Sequence, residues 1–253
     1  MPSEECGEAG GKHRFFLAGV RAEPGRQVDL SPISYQLRNV LRLERGSVIT
    51  LLDGSGAAYP TRIESLVAGD ATGRVLAKQL VRSEPGMELT LFQCVLKRER
   101  FEWVLQKGTE LGVSRFVPVI SSRTVVRPAA RLLSKYERWR AIVREAAEQS
   151  RRGRLPAIED PLPWDESLDQ GAGLGLLAWE EARGNNSGLY PKIADASEIS
   201  LLVGPEGGIS HAEAAAATER GWRPISLGPR VLRAETAAVA AATIVLHLAG
   251  ALG

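Results

Sequence analysis

Between His13 and Val81 the apolar positions fall in short runs and alternations, interrupted by Gly, Pro, Asp and Ser. That rhythm predicts strands at His13–Leu17, Gln27–Leu30, Ser47–Asp53, Ala57–Leu66 and Gly73–Val81. One stretch has a different period. Ile33, Leu37, Val40 and Leu41 recur at helical spacing behind Ser31, a good N-cap, and Pro32, suited to a first helical position. This helix should end near Gly46. Asp53-Gly54-Ser55-Gly56, between two alternating runs, is a hairpin signal. Closely spaced strands of this size suit a small β-barrel. Phe15 and Phe16 are adjacent, so on a strand they face opposite ways. One is expected in the core, the other either in the core or offered to a nucleotide base. Met1–Lys12 has almost nothing to bury and is expected to be disordered.

At Ser83-Glu84-Pro85-Gly86, a turn signal, the pattern changes and divides the chain into residues 1–82 and 83–253. Beyond it, apolar runs at Glu88–Leu96, Arg115–Ile120, Leu174–Trp179, Ile199–Val203 and Pro224–Leu227 predict the buried strands of a parallel sheet. Helical stretches alternate with them. Phe101, Val104, Leu105, Gly108 and Leu111 share one face, with Gly112 placed to close the helix in a left-handed cap. Tyr136, Trp139, Val143, Ala146 and Ala147 mark a second helix, and Ala-rich Glu235–Leu248 a third. The alternation predicts the α/β class. Arg183–Gly188 reads as an exposed loop where an insertion is tolerated.

Composition narrows the chemistry. Cys6 and Cys94 stand far apart, and His13, His211 and His247 are scattered, so neither a disulfide framework nor a metal-ligand spacing is present. The first residues lack the apolar core of a secretory signal, and Ala237–Leu252 is too short and weakly apolar to span a membrane. No metal, no membrane and a cytoplasmic location are the expectations. The net charge of +2 is uninformative, but its distribution is not. Lys97–Arg154 carries fifteen Lys/Arg against six Asp/Glu, while Leu155–Gly253 carries six against thirteen. Such asymmetry suits a surface facing a polyanion, although solvated Arg-rich helices would look the same. The charge map alone does not name RNA.

The candidate site lies in the last fifty residues. Leu201-Leu202-Val203-Gly204-Pro205-Glu206-Gly207-Gly208 and Ile225-Ser226-Leu227-Gly228-Pro229-Arg230 each run from an apolar strand into a glycine-bearing turn and then a helix. Two such strand ends with approachable backbone form a crevice, where open α/β sheets bind ligands. Gly204, Gly207 and Gly208 permit backbone geometry closed to other residues and leave room for a flat ring. Ser210-His211-Ala212-Glu213 fits a capping box, a structural role, with His211 exposed and inert. Gly171-Ala172-Gly173-Leu174-Gly175 is a false dinucleotide fingerprint, because it leads into a strand instead of out of one.

Gly204-Pro205-Glu206-Gly207-Gly208, followed by Leu227-Gly228-Pro229-Arg230-Val231-Leu232-Arg233-Ala234-Glu235-Thr236-Ala237, resembles the SPOUT superfamily of RNA methyltransferases. Within it the chain is similar to the RsmE family, which methylates N3 of a uridine in 16S ribosomal RNA, at the position numbered 1498 in that RNA. Arg14-Phe15-Phe16 and Lys107-Gly108-Thr109-Glu110-Leu111-Gly112 extend the resemblance, which leaves out the first dozen residues and Gly184–Ser197. Family members commonly carry a histidine in the stretch that here reads Gln36–Arg42, so no histidine chemistry is expected there.

The resemblance implies a PUA-like RNA-binding barrel at the N-terminus, a trefoil-knotted C-terminal domain and a homodimer. It implies S-adenosylmethionine as cofactor, held by Trp179 and Glu180, by Val203, Gly204, Pro205, Glu206 and Gly207, and by Ser226, Leu227, Gly228, Val231 and Leu232. Methylation at N3 needs loss of the N3 proton and stabilisation of charge on O2 and O4. Arg233 suits the second task, and Glu235 could orient Arg233 or take the proton, directly or through water. A plain salt bridge at a helix start is the structural alternative for that pair. Arg14, Arg38, Arg42, Arg123, Arg127, Arg151 and Arg152 are the candidate contacts to RNA phosphates. A ribose 2′-O-methyltransferase and a non-catalytic RNA-binding protein are the competing readings.

Overall fold

The computed structural model describes residues 11–17, 23–97, 99–125, 130–182 and 186–252, without the side chains of Ala130 and Arg131. The chain divides into two compact units, Met1–Glu84 with Ala147–Arg154, and Pro85–Ala146 with Leu155–Gly253.

In the first unit, β1 (Arg14–Phe16), β2 (Gln27–Asp29), β3 (Val48–Leu52), β4 (Ala57–Val67), β5 (Asp70–Val75) and β6 (Gln79–Leu80) form one sheet. Its order is β1-β3-β4-β5-β2, with β6 also on β4. β1 runs parallel to β3, and the other pairs are antiparallel. The Asp53–Gly56 turn closes the β3–β4 hairpin with Leu52 opposite Ala58. Leu30, Leu37, Ile49, Leu51 and Ile63 are at the centre of its core.

Two expectations are corrected here. The helix expected from Ser31 to near Gly46 is a 3-10 turn at Ser31–Ile33 followed by a π-helical stretch at Gln36–Val40. The N–H of Leu41 donates to the Gln36 carbonyl at 3.0 Å, so the helix widens and stops there, leaving Val40 exposed. The run Gly73–Val81 is two strands, β5 ending at Val75 and β6 starting at Gln79. Phe15 and Phe16 do face opposite ways, but both are buried, at 3% and 6% exposure. Phe15 joins the core around Leu37 and Leu51, and Phe16 packs with Leu52, Ala58 and Ala147. Neither is a platform for a base.

The second unit holds β7 (Glu88–Cys94), α1 (Glu99–Leu111), β8 (Arg115–Ile120), α2 (Ala130–Leu133) and α3 (Tyr136–Gln149). The last turn of α3 belongs to the first unit. Then come β9 (Ala157–Ile158), β10 (Leu162–Pro163), α4 (Trp164–Asp169), β11 (Leu174–Ala178) and α5 (Tyr190–Ala194). β12 (Glu198–Val203), α6 (His211–Glu219), β13 (Arg223–Ile225) and α7 (Ala234–Leu248) complete it. The sheet runs β10-β8-β7-β12-β11-β13 with β9 also on β8, and every pairing is parallel.

Residues alternate between two cores, as expected for strands covered on both sides. Leu89, Leu91, Leu201 and Val203 pack with Phe101, Val104 and Leu105 of α1 and Ala238, Ala241 and Val245 of α7. Phe92, Cys94, Leu177 and Leu202 pack with Trp164 and Leu168 of α4 and Ala214 and Ala217 of α6. Gly112, at φ +116, closes α1 with its N–H on the Gly108 carbonyl at 3.1 Å. The chain leaves β11 for β12 on one side and then places β13 on the other. That reversal brings three strand ends, each followed by a turn, to the same edge, where a ligand crevice belongs.

Candidate active site

A cavity of about 410 Å³ opens at the carboxyl ends of β11, β12 and β13. Its apolar wall comes from Ala178, Val203, Leu227, Leu232 and Ala237, and its charged groups are Arg100, Glu180, Glu206, Arg230 and Arg233. Trp179, Gly204, Pro205, Gly208, Gly228, Val231 and Ala234 complete the lining. The volume is within the range of about 300–1,000 Å³ typical of small-molecule sites.

The turn after β12 is built around its glycines, at Gly208 partly for the backbone geometry expected and otherwise for close contacts with protein side chains. A Cβ at Gly204 would lie 2.6 Å from Ile209 Cγ1, and one at Gly207 would lie 3.1 Å from Arg123 Cβ. Gly208 has φ +72, and a side chain there would run into the Glu180 carboxylate. The glycines therefore let the turn close over protein side chains instead of leaving space for a ring. Arg123 holds the turn from outside, its Nη1 donating to the Gly207 carbonyl at 2.9 Å. Gly207 itself lies behind the lining.

Below that turn the capping box of α6 is complete. Ser210 Oγ accepts from Glu213 N–H, and Glu213 Oε2 accepts from Ser210 N–H at 3.0 Å. Glu213 Oε1 also takes the N–H of Ser122 at 2.8 Å. Burial works to raise the Glu213 pKa, but the Ser122 and Ser210 amides and their hydroxyls outweigh it and hold the carboxyl below its ordinary value. His211 is exposed, yet it pairs with Glu181 at 3.1 Å and sets its ring edge to face at 5.5 Å from Trp179. Trp179 donates its Nε1–H to the Ile209 carbonyl at 3.2 Å, which fixes its ring against the same turn.

Arg233 is the exposed N-cap residue of α7, where its backbone accepts the N–H of Ala237 at 2.8 Å and its side chain caps nothing. Glu235, two residues on, does not line the cavity. Its ion pair is with Arg100 at 3.7 Å and not with Arg233, so the salt bridge considered for that pair is absent. Glu235 Oε2 is buried without a hydrogen-bond partner. Arg100 reaches Glu206 as well, at 3.5 Å, and Glu206 Oε1 accepts the N–H of Lys97 at 2.9 Å. The start of α1 thus ties the turn after β12 to the start of α7.

Ser226 supports the site without lining it. Its Oγ accepts from Gly228 N–H at 3.3 Å, and its backbone is paired with Asn186. Gly208 lines the cavity, as its place in the glycine turn suggested, and so do Arg100, Ala178, Arg230, Ala234 and Ala237, which sequence reasoning did not pick out. Gly208 and Arg230 lie inside the two turns, and Ala234 and Ala237 share one face of α7, so the motifs themselves contained that signal. Arg100 comes from far up the chain and left none.

Of the residues proposed for RNA, Arg38, Arg42, Arg123 and Arg151 are exposed and Arg14 is partly buried on β1. Arg127 lies outside the described residues. Arg152 is corrected: it is 3% exposed and pairs with Glu84 at 2.9 Å, so it cannot reach a phosphate. Among the described residues, no group of three or more His, Cys, Asp and Glu could hold a metal, and no helix is long and apolar enough to cross a membrane.

A model of the RNA methyltransferase domain family matches residues 83–246. The ribosomal RNA small subunit methyltransferase E of Synechocystis is 36% identical over 207 residues, 80% of this chain and 67% of that protein. The protein of the same name from Bacillus subtilis is 30% identical over 211 residues, 80% of this chain and 82% of its own. Among solved structures, that of the ribosomal RNA small subunit methyltransferase E of Neisseria gonorrhoeae bound to S-adenosyl methionine superposes with a TM-score of 0.83 at 34% identity, covering 93% of this chain and 97% of that one. A putative methyltransferase of Legionella pneumophila in complex with S-adenosylmethionine gives a TM-score of 0.85 at 31% identity, covering 92% and 96%.

Proposed function

Because the chain belongs to the ribosomal RNA small subunit methyltransferase E family, we propose that it methylates small-subunit ribosomal RNA using S-adenosylmethionine. The observation that carries this reading is the cavity at the ends of β11, β12 and β13, with Arg233 on its wall. Its donor set fits the cofactor. Val203, Leu227, Leu232 and Ala237 offer an apolar slot for a purine, and the Glu180 and Glu206 carboxylates suit ribose hydroxyls and positive charge. Bound S-adenosylmethionine supplies a methyl group activated by a sulfonium centre.

The target is N3 of a uridine in 16S rRNA. This edge is used in base pairing, so the nucleotide is unpaired or flipped out when it enters. Removing the N3 proton leaves negative charge shared between O2 and O4. Arg233 stabilises it, because guanidinium stays charged at all relevant pH and presents several rigid N–H donors. Glu235, which stands behind the lining, takes the proton through a water. Its Oε1 faces Arg100, whereas Oε2 is buried with no hydrogen bond and is free to accept.

The first unit, with residues 1–82 as its domain, is a PUA-like RNA-binding module in which Arg38 and Arg42 meet phosphates. The second is a SPOUT domain whose segment after β13 threads a trefoil knot. The enzyme acts in the cytoplasm as a homodimer on the small ribosomal subunit. The first test is titration with S-adenosylmethionine, followed by transfer of a tritiated methyl group to unmodified small subunits. One cofactor bound per chain and label in the rRNA are expected. No cofactor binding, or label only in tRNA, would overturn the proposal.

A further inference from the structure

The segment after β11 holds the cofactor site from outside. β13 is only three residues long and lies at the edge of the sheet, paired with β11 alone. An edge strand so short offers little to fix the turn that follows it. Yet that turn begins at Ser226 and goes straight into Leu227 and Gly228, both on the cavity wall. Gly228 has φ +105, with nothing within 4 Å of where its side chain would be, so the turn is unbraced on that side.

Asn186 supplies the brace. Its Nδ2 donates to the Ser226 carbonyl at 2.6 Å, and its Oδ1 accepts the Ser226 N–H at 3.3 Å. A side-chain amide carries one acceptor and a pair of donors, so it can answer both groups of a peptide as a neighbouring strand would. The pairing adds one rung to the sheet beyond Ile225. Ser226 passes the constraint on, its Oγ accepting the N–H of Gly228 at 3.3 Å.

Asn186 is itself anchored. It opens the 3-10 turn Asn186–Leu189, which leads into α5. Leu189 and Ile193 face Ile225, Leu227 and Val245 across a small cavity of about 150 Å³, directly behind the turn. The sequence reading of this stretch as a tolerant insertion is therefore corrected from Asn186 onward, while Arg183, Gly184 and Asn185 lie outside the described residues.

We propose that Asn186 is a positioning residue for cofactor binding, fixing the Ser226–Gly228 turn by its two hydrogen bonds to Ser226. The proposal rests on the reading of the cavity as an S-adenosylmethionine site. Asn186→Ala removes both bonds, and Asn186→Asp keeps the acceptor but sets a carboxylate oxygen against the Ser226 carbonyl. S-adenosylmethionine affinity would be measured by calorimetry on the full-length protein from about pH 8 to about pH 4, where an Asp carboxyl takes up its proton, each variant normalised to wild type at the same pH.

The Ala variant should bind about tenfold more weakly, the loss expected from one to two ordinary hydrogen bonds. The Asp variant should bind more weakly still at high pH and recover as its carboxyl gains a proton that can be donated to Ser226. The variants should remain folded, with thermal midpoints lower by no more than about 4 °C. An Ala variant that binds like wild type overturns the proposal. So does an Asp variant whose relative affinity does not change with pH, since loss of packing alone would have no pH dependence. If the wild-type chain binds no S-adenosylmethionine, the function reading fails and takes this one with it, a result distinct from a wild-type-like variant.

Discussion

Arg152 bears a full charge at 3% exposure, and the carboxylate of Glu84 stands against it. Glu84 Oε2 faces Arg152 Nη2 at 2.9 Å, while Oε1 takes the N–H groups of Gly153 and Arg154 at 2.7 and 3.0 Å. Burial pushes the Glu84 pKa up, but Arg152 and the two amides outweigh it, so the carboxyl sits below its ordinary value. A carboxyl depressed on folding stabilises the fold at pH above its unfolded pKa and loses that contribution as pH falls through the folded one. Glu84→Gln should therefore cost about 3 kcal/mol near neutral pH, by removing the carboxylate from a buried ion pair. The gap between variant and wild type should narrow below about pH 4, where the wild-type carboxyl also protonates. Equal stability at pH 7, by denaturant melts, would contradict this. From sequence, Arg152 was one more arginine in a basic run. Nothing local distinguishes an arginine aimed at solvent from one turned inward onto a carboxylate sixty-eight residues away.

At the level of elements, legibility followed the length and regularity of the pattern. β8 and the start of α7 lie within a residue of where the apolar runs placed them, because each is covered by packing that demands its period. β9 and β10 have two residues each and leave no periodic trace. The Ser31–Leu41 stretch has helical spacing, but its backbone widens into a π-helical stretch with Leu37 buried in the core. The capping box of α6 was readable because its logic is local. What the sequence could not show is that Glu213 also bonds Ser122 N–H, so one carboxylate joins the turn after β8 to the start of α6. Glu213→Ala should thus cost more than a cap alone, about 2 kcal/mol in thermal or denaturant unfolding, with Ser210→Ala nearer 1 kcal/mol. Equal losses would mean that the Ser122 bond contributes nothing.

Across the whole molecule, the site exists because the parallel sheet reverses its direction of growth at β11. Two turns that are twenty residues apart in the chain meet there with α7, and the glycine–arginine motifs made that meeting legible. Its charges were less so. Arg100 enters from α1, and Asn186 reaches Ser226 from a segment with no motif of its own. Both are contacts between distant parts of the chain that no window of sequence contains. Under the proposed function, the apolar wall and the turns hold the cofactor and Arg233 meets the anionic base.

The measurement that tests this most directly is the identity of the methylated nucleoside. Small ribosomal subunits lacking the modification would be incubated with the protein and S-adenosylmethionine, their rRNA digested, and the nucleosides compared with standards by mass spectrometry. The account predicts 3-methyluridine. It also predicts that Arg233→Ala lowers the yield by at least about a hundredfold while still binding cofactor, the scale of losing one preorganised anion stabiliser. A 2′-O-methylated nucleoside, or 3-methyluridine formed as fast without Arg233, would contradict it.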